Sequence, residues 1–418
     1  MTSAPTAIRV AATGMLALAV AMGIGRFAFT PLLPMMLNER LLDLAGASWL
    51  ASANYLGYLV GALFCTFQPW LWARAPGLRP WRGGAVVRVG LAATCVLTLG
   101  MALPAPALWP ALRFAAGVAS ALVFVFTSGW CMTQLARREA PALGGLMFAG
   151  PGAGIVGSGL AASLLVQWER SAATGWLAFG VLAAVLSAMA WPAFAADGGA
   201  AAAPARSAAS AAAHPGAAGT TELSILALAY GLAGFGYIIT ATFLPVIARQ
   251  AIAGSAWLDM FWPIFGAGVV AGALLVTRLR TSRDLRLMLA ACYAVQALGI
   301  AVGVWHPSTA GFAIGSLLLG LPFTTITFFA MQEARRLRPA APLSYIGLLT
   351  ATYGIGQIMG PQLAAAVLAH SPSPGQGFDR SLAVAAAALV AGALLYLALA
   401  RLYPASGHPA ARARRNAG

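Results

Sequence analysis

The chain has 418 residues, 60% of them hydrophobic and only 8% charged, with a mean hydropathy of +0.82. A water-soluble domain keeps about a quarter of its residues charged, so the solvent for most of this chain is lipid. The net charge of +15 comes from arginine alone, in short clusters between apolar runs, a pattern that marks topology and excludes a nucleic-acid-binding face.

Crossing a membrane as helix takes about 20 apolar residues. Twelve runs meet that length, at roughly 10–36, 47–67, 86–104, 107–135, 142–167, 173–195, 223–248, 257–277, 286–305, 309–333, 343–369 and 381–403. The first contains Ala17-Leu18-Ala19, which resembles a leader cleavage site, but the apolar stretch continues well past it. A retained span is expected there. Between the sixth and seventh runs, residues 196–221 turn to Ala, Gly, Pro and Ser, and Gly198-Gly199, Pro204 and Pro215-Gly216 break any long helix.

The expected architecture is therefore an all-α membrane protein of twelve transmembrane helices in two pseudo-symmetric six-helix bundles. Residues 1–195 form the first bundle, 196–221 a cytoplasmic linker, 222–404 the second bundle and 405–418 a basic cytoplasmic tail. Both ends are expected inside, because that orientation leaves only Arg40, Arg170, Arg249 and Arg380 outside. Arg26 and Arg113 lie within the membrane.

The two halves are related in sequence. Gly23, Gly25 and Pro34 recur as Gly234, Gly236 and Pro245, a shift of 211. Gly57 and Gly61 recur as Gly268 and Gly272 at the same shift of 211, and Gly150-Pro151 recurs as Gly360-Pro361 at 210. Parallel repeats across a central linker are a transporter architecture, with the substrate site between the halves.

Residues 23–34, Gly-Ile-Gly-Arg-Phe-Ala-Phe-Thr-Pro-Leu-Leu-Pro, hold the most costly side chain. An arginine at the centre of a membrane helix costs about 3 kcal/mol on insertion scales, and its guanidinium stays protonated. Arg26 has Tyr237 as its repeat partner, so the glycines and prolines belong to the helix shape in both halves, whereas the charge breaks the symmetry. Arg113 adds a second cation at similar depth, with snorkelling to the outer interface as its structural alternative. No aspartate or glutamate falls deep in a run; Asp259 intrudes furthest, at the start of the eighth. Two embedded cations without a carboxylate point to an anion or an aqueous cavity.

Asn54, Tyr55, Tyr58, Tyr237, Thr324, Thr325, Tyr353 and Gln357 are candidates for the cavity wall, each with a helix-to-helix hydrogen bond as the alternative. Gly145, Gly150, Pro151 and Gly154 in the fifth run permit close approach and bending. Gly152-x-Gly154-x-x-Gly157 matches a dinucleotide fingerprint in form only, since strand, crossover and acidic residue are missing. Cys65, Cys95, Cys131 and Cys292 have no paired spacing, and the four histidines fall in connections or tails. No metal, no cofactor and no enzyme activity are expected.

These residues resemble the major facilitator superfamily over essentially the whole chain. Arg113-x-x-x-Gly117 is similar to its fourth-span motif, and Gly150-Pro151-x-x-Gly154 to the fifth-span motif associated with exporters and antiporters. The cytoplasmic motif after the second span is degenerate, because Gln68 to Arg82 has arginines but no aspartate. Gly23 to Pro34, together with Ala51-Ser-Ala-Asn-Tyr-Leu-Gly-Tyr58, is similar to the YbfB/YjiJ-type branch. The resemblance implies an inner-membrane, multi-pass transporter with rocking halves, its cavity lined by the first, fourth, seventh and tenth spans.

The expected function is secondary transport of a small organic solute by alternating access. Arg26 is the leading substrate contact and Arg113 a second anion contact or a coupling residue. Gly150, Pro151, Gly154, Gly360 and Pro361 are expected at the moving interface. An anionic solute and proton-coupled efflux of apolar compounds remain open as alternatives, as does a membrane receptor on a transporter scaffold. Partners are the solute, a coupling proton or counter-solute, and the bilayer, with a monomer and no nucleic acid.

Overall fold

The computed structural model describes residues 6–74, 81–140, 143–195, 219–252, 254–255, 257–278, 284–338 and 342–404. The helices are α1 (Ala7–Leu18), α2 (Phe29–Asn38), α3 (Leu44–Arg74), α4 (Gly83–Gly100), α5 (Trp109–Ala136), α6 (Gly144–Phe148), α7 (Gly150–Gln167) and α8 (Ala172–Ala195), followed by α9 (Thr220–Ala251), α10 (Phe261–Val276), α11 (Leu285–Trp305), α12 (Thr309–Gly320), α13 (Phe323–Leu337), α14 (Pro342–Ala369) and α15 (Pro374–Leu402). Among the described residues, ten helical stretches are long and apolar enough to cross a membrane, and α10 is a shorter apolar helix of 16 residues. Each predicted run falls on one of these or on α14. The expected linker lies almost wholly, and the expected tail wholly, outside the described residues.

Three runs are not single straight helices. The first is α1, then a π turn over Ala19–Ile24, then turns through residues 25–28, then α2. Gly23 and Gly25 lower helix propensity there, and Pro31 has no N–H to offer the Phe27 carbonyl. Gly25 N reaches back five residues to Val20 O (2.8 Å). The fifth run breaks between α6 and α7 ahead of Pro151, and the tenth between α12 and α13 at Leu321-Pro322. The eighth is shorter than its apolar run: Asp259 sits ahead of α10 and pairs with Arg249, so it does not enter the helix.

The repeated glycines do matching work. A Cβ on Gly57 would run into the Phe114 carbonyl, and one on Gly61 into Val118 and Ala121, so α3 packs backbone-close on α5. Gly268 and Gly272 stand in the same relation to the Leu317 and Leu321 carbonyls, where α10 packs on α12. Between helices in lipid, dispersion at close approach replaces the hydrophobic effect, which makes small residues decisive.

Helices of the first half meet those of the second along three lines, α3 with α14, α7 with α10, and α2 with α9. Gly152 and Gly266 abut through their backbones. Thr66 lies against Gly347 and Leu59 against Gly354 on one line, and Ser52 Oγ donates to Ile358 O (3.1 Å) further along it. Thr30 Oγ1 donates to Ala241 O (2.9 Å). That carbonyl is free because Pro245, four residues on, has no N–H for it. Thr30 and Ala241 are themselves 211 residues apart, so positions related by the repeat touch each other.

One buried ion network ties the arginine-rich ends of four helices. Arg286 donates to Glu333 (2.7 Å), to Glu222, and to the carbonyls of Leu399 (2.9 Å) and Tyr403 (2.5 Å). Arg336 closes on Glu333 at 2.6 Å. This network joins α9, α11, α13 and the end of α15, with no counterpart among the described ion pairs of the first half.

Candidate functional site

Arg26 lies in the turn between the π segment and α2, with 3% of its surface exposed. Its Nη2 donates to Gln357 Oε1 on α14 at 2.5 Å, and Gln357 Nε2 donates in turn to the Tyr237 hydroxyl on α9. Arg26 and its repeat partner Tyr237 thus meet through one amide. The guanidinium carbon sits 3.8 Å from the centre of the Tyr58 ring, 5.4 Å from Tyr55 and 5.5 Å from Phe27. These faces offer a cation partial compensation. Among the described residues no carboxylate pairs with Arg26.

Arg26 Nε is buried and has no hydrogen-bond partner. Nε–H and Nη2–H point from the same edge of a guanidinium and form the fork that takes a carboxylate side-on. Here the fork is half filled, by a neutral amide oxygen on one prong. An unmet buried donor costs about 1–3 kcal/mol, so the site carries a standing deficit that a two-oxygen anion would remove.

Arg113 also has a buried Nε without a partner, but its other donors do different work. Its Nη1 donates to Gly25 O (3.2 Å) and its Nη2 to Arg26 O (3.0 Å). Those carbonyls are released where the first helix is interrupted. At 3% exposure the side chain does not snorkel outward. Asn54 Nδ2 donates to Arg113 O (2.9 Å), and a Cβ on Gly117 would strike the Asn54 carbonyl. Ser120 Oγ, two turns on along the same helical face, donates to Ala21 O (2.6 Å). Arg113, Asn54 and Gly117 therefore hold the broken segment that presents Arg26. Replacing Arg113 with leucine is expected to strand both carbonyls and cost about 2–6 kcal/mol at 1–3 kcal/mol each, read as a lower thermal midpoint of the purified protein.

The remaining sequence candidates divide in the same way. Tyr58 and Tyr353 are half-buried, whereas Tyr237, Gln357 and Asn54 are buried. Tyr353 stacks on Tyr230 (4.8 Å between centroids, 30°) and on Tyr237 (5.9 Å, 24°). Tyr55 bonds Thr242 (2.9 Å), and Thr325 donates to Gly272 O (3.4 Å). Gly23 meets Gly154 backbone to backbone, and Gly150 meets Met15, both within the first half. Gly360 faces Ile238 of α9, while Pro34 and Pro361 lie inside α2 and α14. The glycines that face the other half include Gly145 (against Thr277), Gly152, Gly159, Gly266, Gly347 and Gly354, none of which belongs to the expected set.

Phe27 and Phe323 complete the wall and escaped the sequence reading. Phe323 lies edge-on to Tyr237 (5.0 Å, 72°) and to Phe27 (5.8 Å, 71°). The available signal was position: one follows Arg26, the other follows the Pro322 that interrupts the tenth run.

Residues 18–397 match the family described as "Uncharacterised MFS-type transporter YbfB". The chain belongs to that family. It is a multi-pass membrane transporter of the major facilitator superfamily with a small-molecule substrate, and not an enzyme. Two crystal structures of the nucleoside transporter NupG, one of a point mutant, share its fold. The mutant superposes with a TM-score of 0.69 at 14% identity, covering 93% of this chain and 99% of that one. The other gives 0.63 at 14%, covering 93% and 98%. None of the curated protein sequences matches the transporter.

Proposed function

We propose that the transporter moves a small organic anion by alternating access, with Arg26 as the anion contact. The observation that carries this reading is the half-filled fork: a buried guanidinium between the halves, with one prong on Gln357 and one unmet. Twelve spans in two six-helix bundles, residues 1–195 and 222–404 joined by 196–221, supply the moving parts. In this reading the protein is an inner-membrane monomer, and the distribution of its arginines supports cytoplasmic termini. The touching of repeat-related Thr30 and Ala241 supports an axis between the bundles at that level, close to Arg26. Arg113 serves as a positioning residue for the interrupted helix rather than as a second anion contact. Coupling to a proton or a counter-solute operates elsewhere than at a carboxylate beside Arg26.

NupG is described as a nucleoside transporter, and a nucleoside is a neutral solute. A neutral ligand would leave the Arg26 charge uncompensated, which is why an anion is favoured. A thermal-stability screen of purified protein against singly charged anions, cations and neutral compounds of similar size, uridine included, tests the reading. An anion at a hundred times its Kd stabilises by about 2.7 kcal/mol. Anion stabilisation should vanish in Arg26→Gln and persist in Arg380→Gln, whose arginine is exposed. Stabilisation by neutral compounds alone would overturn the reading. Flux of the same anion into proteoliposomes separates a transporter from a receptor, which binds without flux.

A further inference from the structure

The walls around Arg26 carry information about the rest of the solute. The Gln357 amide is a planar group that spans from the Arg26 fork to the Tyr237 hydroxyl. Whatever replaces its oxygen on Arg26 extends toward Tyr237. That direction is bordered by rings: Tyr353 nearly parallel to Tyr237, Phe323 edge-on to it, and Phe27 edge-on to Phe323. Tyr353 and Tyr58 keep partial exposure, whereas Arg26, Gln357 and Tyr237 are buried.

A carboxylate held side-on lies in the plane of the guanidinium. In an aryl carboxylate, conjugation keeps the ring in that same plane. The ring would then continue the layer that the guanidinium occupies over Tyr58 and meet the tyrosine faces beyond. A saturated carboxylate of equal size puts a puckered, thicker body in that layer. Transfer from water favours an aromatic and an aliphatic body alike, so it does not separate the two. Ring–ring geometry is what this wall can discriminate by.

We infer that the solute is a planar aromatic monocarboxylate, its carboxylate in the Arg26 fork and its ring against Tyr237 and Tyr353. The inference rests on the reading of Arg26 as the anion contact. It is tested on the full-length purified protein with benzoate, cyclohexanecarboxylate and benzamide, by thermal shift and by equilibrium competition.

Benzoate should half-saturate at a concentration roughly five- to ten-fold below that of cyclohexanecarboxylate, and benzamide should not stabilise. Tyr353→Leu should bring the two carboxylates to near equality, while Tyr353→Phe should keep the preference. Equal half-saturation in the unaltered protein, with both acids dependent on Arg26, overturns the aromatic preference and leaves the anion contact standing. A preference that survives Tyr353→Leu overturns the placement of the ring. If Tyr353→Leu does not fold, loss of the preference in Tyr353→Phe does the same. Stabilisation by neither acid overturns this inference alone, whereas stabilisation by benzamide as well as by benzoate overturns the anion contact and this inference with it.

Discussion

Arg26→Met is expected to raise the thermal midpoint of the purified protein while abolishing anion-dependent stabilisation and flux. The two effects have one cause. A buried cation without a carboxylate is a cost to the fold, and replacing buried charge by a well-packed apolar side chain is often stabilising by about 1–4 kcal/mol. Methionine matches the stem of arginine and packs among Phe27, Tyr55 and Tyr58 as a flexible filler. The carbonyls of residues 25 and 26 stay capped, because Arg113 holds the backbone there and not the Arg26 side chain, and Gln357 Oε1, which loses its donor, can turn to accept from the Tyr237 hydroxyl. The ligand loses two charge-assisted hydrogen bonds of about 1.5–3 kcal/mol each, so affinity should fall by roughly 10²- to 10⁴-fold. An arginine retained for structure gives the opposite sign on stability. A lower midpoint in Arg26→Met, with flux lost only in proportion to unfolding, would sink the functional reading. Differential scanning fluorimetry and proteoliposome flux on the same preparation decide it.

Gln357→Glu is expected to lock the transporter. The amide oxygen already sits 2.5 Å from Arg26 Nη2, so a carboxylate in its place can fill both prongs of the fork. Tyr237, which accepts from the amide, can turn its hydroxyl to donate to the new anion. The neutral tie between the halves becomes a buried, hydrogen-bonded ion pair, of the kind that costs about 3–5 kcal/mol to break from one side. Because alternating access separates the halves at each cycle, flux should drop by about 100-fold or more, using 1.4 kcal/mol per decade. The midpoint should rise, and added anion should no longer shift it. Gln357→Leu removes the tie without supplying a competitor and should bind the anion at least as tightly as the unaltered protein. Normal flux in Gln357→Glu would show that the contact does not have to open. The double variant Arg26→Gln with Gln357→Glu should unlock the halves without restoring anion binding.

Much of this was legible in the chain itself. Composition and run length place nearly every helix within a few residues, because the bilayer imposes one length and one polarity on whatever crosses it. The repeat of Gly57 and Gly61 as Gly268 and Gly272 points to equal packing, and both pairs do meet carbonyls of a neighbouring helix. Arg26 stands out because the cost of burying a guanidinium is a property of the residue and its local surroundings. The interruption at residues 25–28 was less visible. Glycines and Pro31 permit a break, but a helix interior also tolerates them when neighbours supply the missing bonds.

Arg113 shows where local reasoning stops. In sequence it is a second membrane cation and looks equivalent to Arg26. In space two of its donors reach carbonyls 88 and 87 residues away, so that, although both arginines keep a buried Nε without a partner, only Arg113 caps the interrupted helix. Gln357 likewise reads as one polar residue among several until α14 brings it 331 residues across the chain to Arg26. By itself the sequence determined the solvent, the helical class, the internal repeat and the presence of a costly central charge, since each follows from side-chain transfer energies and periodicity along one strand of chain. Only the tertiary structure decided which cation holds backbone carbonyls of its own half and which meets a side-chain amide of the other half. Hydrogen-bond partners are allotted by how closely helices from distant parts of the chain approach one another, and that approach is set by packing that no single run contains.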